Sequence, residues 1–369
     1  MLWYNQIGVV FLGKGTFLFS LTNLFTIQRW NNRPALIRFT EADNSFNTFF
    51  LSFIFHSLEQ QSDWSQNIEN SLRWRLSREL PKIVLSDVSL QLKERIERFA
   101  PDVWNKVKLK AIDELKNVAD EQTVNILINV DSYSRLDKLA DLYISYLEAR
   151  ENGKLYDFSQ PLRELSEKID EISQFFPKER IEKYWQIAQY VWSPLLNLTS
   201  MVRWNRTHRN VRTSVSGHSF IVVTISYLLS KLLEFDKTTE VIVRSILHDL
   251  PEAFTGDVIT PTKKKVQGLD ELVALVEREM LVEWISENPN LEFVKNFVDF
   301  AVEPFEKDAG RIVRTADYLA ALLECAVEIH SGNRLEVFRE NFFNFKKAIK
   351  EISPLDVSSW IDEIETIVF

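Results

Sequence analysis

The feature that most narrows the fold is a collinear self-match between the two halves of the chain. Arg29-Trp30 recurs as Arg203-Trp204, an offset of 174 residues, and at that offset Arg38 falls on Arg212, Phe46 on Phe220 and Asn44 on His218. Leu80-Pro81 falls on Leu250-Pro251 at 170, with Asp87-Val88 on Asp257-Val258 and Lys93 on Lys263. Ala140-Asp141 falls on Ala316-Asp317 at 176, and Glu171-Ile172-Ser173 on Glu351-Ile352-Ser353 at 180. An offset that drifts so little over the whole comparison is the mark of a duplicated unit, and shared helix composition alone does not produce it. Two copies of one domain are therefore expected, residues 1–177 and 178–369, with the junction near 175–182. Pro177 and Lys178-Glu179-Arg180 mark it, and no flexible Gly/Ser linker intervenes, so the copies are expected to pack tightly.

Each copy reads as all-α. Glycine is scarce at 9 and phenylalanine plentiful at 26, which favours long helices packed by aromatic side chains over turn-rich β-structure. Apolar periodicity predicts helices near 15–30, 45–60, 65–82, 90–118, 121–128, 133–151 and 158–174 in the first copy. In the second they fall near 182–202, 217–233, 238–250, 266–287, 290–302, 309–331 and 335–352, with a last one over 356–368. Val9 to Leu12, ending at Gly13, reads as a strand or short apolar lead-in. The Phe-rich run Phe46, Phe49, Phe50, Phe53 and Phe55 reads as core in preference to a base-stacking platform.

The chemistry concentrates in the second copy. His248-Asp249-Leu250-Pro251-Glu252 continues through Thr255-Gly256-Asp257 to Thr260-Pro261-Thr262-Lys263. Adjacent His and Asp are about 100° apart on a helix, yet both reach one metal from a helix end. Glu252 returns to the same face, where a carboxylate serves as general base toward a water without being a ligand. Upstream, His218 opens an apolar helix; downstream, Asp317 is a lone acid within another. His218, His248, Asp249 and Asp317 form a mixed nitrogen and oxygen set suited to Mn, Co, Fe, Ni or Zn, not to Ca or a Cys-type structural zinc.

This arrangement resembles the HD-domain phosphohydrolases, and the longer run Arg203-Trp204, Arg209 to Thr213, Val215-Ser216, His218-Ser219, His248-Asp249, Glu252, Thr255-Gly256-Asp257, Thr260-Pro261, Lys263 and Asp317 resembles the bacterial 5′-deoxynucleotidases among them. The resemblance covers roughly residues 185 to 355. It implies that His218, His248, Asp249 and Asp317 hold one divalent transition metal ion and that Glu252 assists the nucleophilic water. It also implies that Arg203, with Lys263 or Arg209, meets the phosphate, that Asp257 hydrogen-bonds the sugar hydroxyl, and that Trp204 and Thr255 shape the substrate pocket. The expected activity is metal-dependent hydrolysis of deoxynucleoside 5′-monophosphates to deoxynucleoside and phosphate. Other HD hydrolase substrates (triphosphates, cyclic nucleotides or single-stranded nucleic acid) and a non-catalytic nucleotide-binding scaffold are the alternatives. Two departures stand out: Gly217 precedes the first histidine where the family commonly has Glu, and one extra residue lies between Trp204 and Arg209.

The first copy has lost these residues. It carries Asn44, Arg78, Glu79 and Lys82 where the second has His218, His248, Asp249 and Glu252, and only Asp141 keeps its counterpart's identity. Arg78 and Lys82 are expected to put positive charge where the ion belongs, paired with Glu79, Asp87 or Asp141, so this copy should bind no metal. Because the family commonly associates as dimers, the fused inactive copy would supply the partner surface within one chain, as an intramolecular pseudo-dimer that is itself monomeric.

The remaining composition excludes other classes. A net charge of −9 argues against a general nucleic-acid coat or an anionic membrane surface. The apolar stretches 16–27 and 46–58 are shorter than the ~20 residues a membrane helix needs, and Met1 to Gly13 lacks a signal-peptide pattern, so no membrane span or leader is expected. A single cysteine, Cys325, fits a reducing compartment, and a cytoplasmic location is expected. His56, His208 and His330 lack evident partners and read as surface or core histidines.

Overall fold

Two long, largely apolar helices, buried on nearly every side, lie at the middle of the molecule. In the structure, a computed structural model, residues 13–59, 62–85, 90–128, 134–256 and 268–369 are described. In α2 (Glu41–Glu59) Phe46, Phe49, Phe50, Phe53 and Phe55 are all buried, and in α11 (Val215–Leu232) Phe220 through Leu229 are buried without a break. A helix that is apolar all round has to be enclosed on all sides. α2 and α11 pack on each other and are each wrapped by helices of their own half. Val215–Leu232 is long and apolar enough to cross a membrane, but 89% of it is buried inside this protein.

The other helices follow in chain order. The first half contains α1 (Lys14–Leu21), α3 (Trp64–Glu79), α4 (Lys82–Leu85), α5 (Leu90–Phe99), α6 (Pro101–Leu115), α7 (Glu121–Ile128), α8 (Arg135–Asn152) and α9 (Ser159–Ser173). Then come α10 (Lys178–Ser200), α12 (Thr238–Leu247), α13 (Glu252–Thr255), α14 (Leu269–Glu287), α15 (Val298–Val302), α16 (Lys307–His330), α17 (Glu336–Ile352) and α18 (Ser358–Val368). Among the described residues there is no β-strand, only two isolated bridges, so the all-α expectation holds.

Several boundaries differ from the periodic pattern for local reasons. The helix expected over 15–30 stops at Leu21, and a 3-10 turn (Thr22–Phe25) leads to the Gln28–Thr40 bridge. The helix expected over 90–118 breaks at Ala100, whose ψ of 78° is the non-helical conformation that a following proline, here Pro101, imposes. The helix expected over 290–302 is a 3-10 stretch (Pro289–Phe297) followed by the short α15. α2 and α11 begin two to four residues earlier than expected, at capping residues that apolar periodicity does not register. The lead-in Val9 to Leu12 lies outside the described residues.

The two halves repeat each other in detail. The bridges Gln28–Thr40 and Val202–Ser214 lie 174 residues apart. Trp30 and Trp204, at the same offset, both adopt left-handed backbone, φ 58° and 57°. A tryptophan rarely occupies that region, so its recurrence at paired positions is informative. The halves are not separate in their packing, however. α10, which starts directly after Pro177, packs on α2 and α8 as well as on α11 and α13, and α1 packs on α18. One continuous apolar core runs from Phe17 to Ile364, with only a small satellite of Leu142, Ala149, Phe158 and Leu165 apart from it.

A continuous core couples the stability of its parts. Leu139→Ala, a fully buried truncation in α8, is expected to cost about 2–5 kcal/mol and to lower the melting temperature of the whole chain in one transition. Scanning calorimetry of the variant checks this; two separated transitions would show that the halves unfold independently.

Candidate metal centre

Four side chains from three helices of the second half converge on one buried point. His218 sits in the first turn of α11 and is fully buried; His248 is the C-cap of α12; Asp249 follows it; Asp317 lies midway along α16. One ligand atom each from His218, His248 and Asp249 lies within 4.8 Å of the others. His218 Nε2 is 3.1 Å from Asp317 Oδ1, and His248 Nε2 is 3.2 Å from Asp249 Oδ2. The structure thus brings together all four residues singled out from the sequence.

The hydrogen bonds behind the rings fix which nitrogen faces inward. His248 Nδ1 is 2.7 Å from the Ser245 carbonyl, and His218 Nδ1 is 2.8 Å from Glu324 Oε1. Both partners are pure acceptors, so Nδ1 carries the proton in each ring and a neutral imidazole turns the Nε2 lone pair toward a carboxylate. Lone pair then faces lone pair at about 3 Å. The buried atoms His248 Nε2 and Asp249 Oδ2, although close, meet in no hydrogen-bond geometry. A cation removes this repulsion, and an edge of ~3 Å is what ligands set ~2.1 Å from an ion span in an octahedral shell. The donor set therefore fits a divalent metal. Burial and Arg203 disfavour the charged His218 ring, but its hydrogen bonds to Asp317 and Glu324 push its pKa up. Burial likewise works to raise the Asp249 carboxyl, yet His248, His218 and Arg203 hold it below the ordinary carboxylate range, and His218 does the same for Asp317.

Glu324, which the sequence pattern hides within an apolar helix, organises the surroundings. Its fully buried carboxylate accepts from Arg203 Nε at 3.0 Å, from Trp204 Nε1 at 2.6 Å and from His218 Nδ1. One helical turn on, Glu328 accepts from Arg209 Nε at 3.1 Å and from the backbone N–H groups of Asn210 and Val211 at 2.8 and 2.9 Å. Arg209, expected near the phosphate, is instead buried on Glu328 and Thr213. Arg203 stays beside the cluster, with Nη1 3.8 Å from Asp249, and Glu252 is near enough to help keep it charged. Trp204 packs on Phe338 and Phe345 of α17. Thr255 is half-buried, its hydroxyl donating to Pro251 O, and Gly256 turns the chain with φ 79°. Asp257, Thr260, Pro261 and Lys263, with their first-half matches Asp87 and Val88, lie outside the described residues, as does the side chain of Lys93.

The first half builds the same clamp around a different centre. Glu148 accepts from Arg29 Nε at 2.8 Å, Trp30 Nε1 at 3.1 Å and Asn44 Nδ2 at 2.8 Å, matching Glu324 at the offset of 176 that also relates Asp141 to Asp317. Where the second half gathers lone pairs, the first inserts a guanidinium. Arg75 donates to Asn44 Oδ1 at 2.9 Å and to Asp141 Oδ1 at 2.8 Å, and pairs with Glu79. Arg78 and Lys82 were expected to supply that charge. The structure gives the central place to Arg75, with Arg78 at the rim, 3.4 Å from Asp141, and Lys82 between Glu79 and Glu41. His56 is a core histidine whose Nε2 meets Asp137 at 2.9 Å; His208 is exposed, and His330 packs edge-on against Phe19.

Comparison with known proteins bears on the second half. Residues 192–367 match the model of the YfbR-like 5′-deoxynucleotidase family. A 5′-deoxynucleotidase of Pectobacterium atrosepticum is 30% identical over 134 residues, 34% of this chain and 66% of that protein. A 5′-deoxynucleotidase of Shewanella oneidensis is 26% identical over 198 residues, 47% of this chain and 97% of that protein. A 4′-phosphooxetanocin A phosphatase of Priestia megaterium is 26% identical over 145 residues, 38% of this chain and 73% of that protein.

Arg75→Ala would take from the buried Glu79 and Asp141 carboxylates the guanidinium that bridges them. A loss of about 3–5 kcal/mol is expected in urea unfolding, far more than removal of the exposed Arg78. An Arg75→Ala loss no larger than that of Arg78→Ala would show that Arg75 does not balance the site.

Proposed function

We propose, from the premise that residues 192–367 belong to the YfbR-like 5′-deoxynucleotidase family of HD-domain phosphohydrolases and that the chain is a hydrolase acting on a small nucleotide, that its substrate is a deoxynucleoside 5′-monophosphate. The observation that carries the reading is the confrontation of imidazole lone pairs and carboxylates at His218, His248, Asp249 and Asp317. These four residues hold one divalent ion of the Mn, Co, Ni, Fe or Zn kind. Such an ion supplies Lewis-acid chemistry, polarising a phosphoryl oxygen and bringing the pKa of a water from ~15.7 toward ~7.

The chain's own residues do the rest. Glu252, at the first position of α13 three residues beyond the His-Asp pair, orients the attacking water and takes its proton. Arg203 is held charged and directed by Glu324 on one side, leaving its Nη atoms toward the cluster to meet the phosphate. The water oxygen bonds to phosphorus as the bond from phosphorus to the sugar 5′-oxygen breaks, and the departing oxygen takes up a proton. Trp204 and Thr255 are assigned to the sugar and phosphate pocket, and the roles expected of Asp257 and Lys263 fall outside the described residues. The two halves, 1–177 and 178–369, are copies of one unit joined as a pseudo-dimer. The repeated bridges, the paired left-handed tryptophans and the Glu148 and Glu324 clamps support that reading. Arg75 stands in for the ion in the first.

Phosphate release from a panel of deoxy- and ribonucleoside 5′-monophosphates, after chelation and re-addition of single metals, tests the reading. Hydrolysis of the deoxy set is expected, restored by one equivalent of metal per chain and lost in His248→Ala. Glu252→Ala is expected to reduce turnover by 10²-fold or more while metal binding persists. Silence across the panel with metal bound would overturn the substrate assignment, and two equivalents per chain would overturn the role given to Arg75.

A further inference from the structure

The seam between α2 and α11 is not symmetric. At the start of α2 the capping exchange is complete: Thr40 Oγ1 accepts from the Asp43 N–H at 3.2 Å, and Asp43 Oδ2 accepts from the Thr40 N–H and hydroxyl, each at 2.8 Å. At the start of α11 half of that exchange is missing. Ser214 Oγ accepts from the Gly217 N–H at 2.8 Å, but Gly217 stands where the returning carboxylate belongs. A Cβ added there would meet Ser214 Oγ at 3.1 Å and, from the first half, Ala42 Cβ and Phe25 Cδ1 at 3.4 Å. The carboxylate comes from across the seam, since the Ser214 hydroxyl donates to Asp43 Oδ1.

A second link runs in the same direction. Asn47 Nδ2 donates to Thr199 Oγ1 at 3.2 Å, and Thr199 Oγ1 lies 3.0 Å from Ser216 Oγ. The counterparts of these three residues at offset 174 are Ile221, Phe25 and Ala42, all apolar and buried. The first half therefore gives polar support to the second and receives none at the equivalent place. The support arrives beside the metal cluster, for the Ser214 carbonyl accepts from the His218 N–H at 3.0 Å and Ser216 is two residues before His218. Asp43 is 1% exposed and Ser214 is buried too, so solvent has little access to either partner.

We infer that Asp43, a residue of the first half, is a positioning residue for the site of the second: it fixes Ser214, Ser214 fixes the first turn of α11, and that turn aims His218 at the cation. The inference rests on the reading of His218 as a metal ligand. It gives the half without a metal site a specific part in building the other one.

The test uses the full chain, stripped with chelator and titrated with Mn(II) alone by calorimetry, with melting temperatures measured in parallel. Asp43→Ala is expected to weaken Mn(II) binding about tenfold, the scale of losing support behind a ligand. Ser214→Ala is expected to do at least the same, and the double variant to be no weaker than Ser214→Ala alone, because both break one chain of contacts. Leu165→Ala, in the satellite core, should lower the melting temperature without changing Mn(II) affinity. Unchanged affinity in Asp43→Ala, additive losses in the double variant, or an equal loss in Leu165→Ala would overturn the inference. If Asp43→Ala does not fold, Asp43→Asn serves: its amide cannot accept from Ser214 and from both Thr40 donors, and unchanged affinity there overturns the inference equally. Failure of the unsubstituted chain to take up Mn(II) would instead sink the metal reading itself, and this inference with it.

Discussion

The second half depends on a buried negative charge that has no access to water. Glu324 is enclosed on all sides, and an isolated carboxylate in such a place costs several kcal/mol. Three donors answer it from two parts of the site: Arg203 and Trp204 from the segment before α11, and His218 from α11 itself. Compensating one charge thus fixes the orientation of three functional side chains together. It also accounts for the unusual backbone at Trp204, because the left-handed residue is what brings the indole N–H and the preceding guanidinium to the same carboxylate.

The first half shows which part of this arrangement serves the fold and which serves chemistry. Glu148, Arg29 and Trp30 keep the clamp with the same donor atoms. The clamp therefore does not require a metal beside it. What changes is the centre, where the first half satisfies Asp141 and Glu79 with a guanidinium delivered from α3. Both centres solve the same electrostatic problem, a cluster of acceptors out of water. One solution is covalently attached and permanent. The other, on the proposed reading, takes its positive charge from solution as a metal ion, which would leave it open to a substrate.

Much of this was legible in the sequence because it depends on residue identity at fixed spacing. The offset between Arg29-Trp30 and Arg203-Trp204 reappears in space as paired bridges and paired backbone angles, and His218, His248, Asp249 and Asp317 meet as their residue types suggested. Glu324 and Glu328 were not legible, since a glutamate in an apolar helix looks like any solvent-facing polar residue until the fold closes over it. Arg75 escaped because the pattern aligns it with Ser245, and only a side chain's length tells that it reaches the centre from a position three residues away. The helix starts at Glu41 and Val215 were missed for a different reason. They are set by backbone N–H groups that donate to the Thr40 and Ser214 hydroxyls, which carry no apolar signal.

The exchange of Asp43 for Gly217 across the seam has a consequence for descent. In a pair made of two second halves, each Ser214 would face a glycine, and neither hydroxyl would find the carboxylate that now receives it. In a pair made of two first halves Thr40 would stand in the place of Ser214, and its hydroxyl is already given to the Asp43 of its own half. On the proposed reading of the halves as copies of one unit, a single copy of either half paired with itself would lack one partner of this contact, the carboxylate in one case and the free hydroxyl in the other.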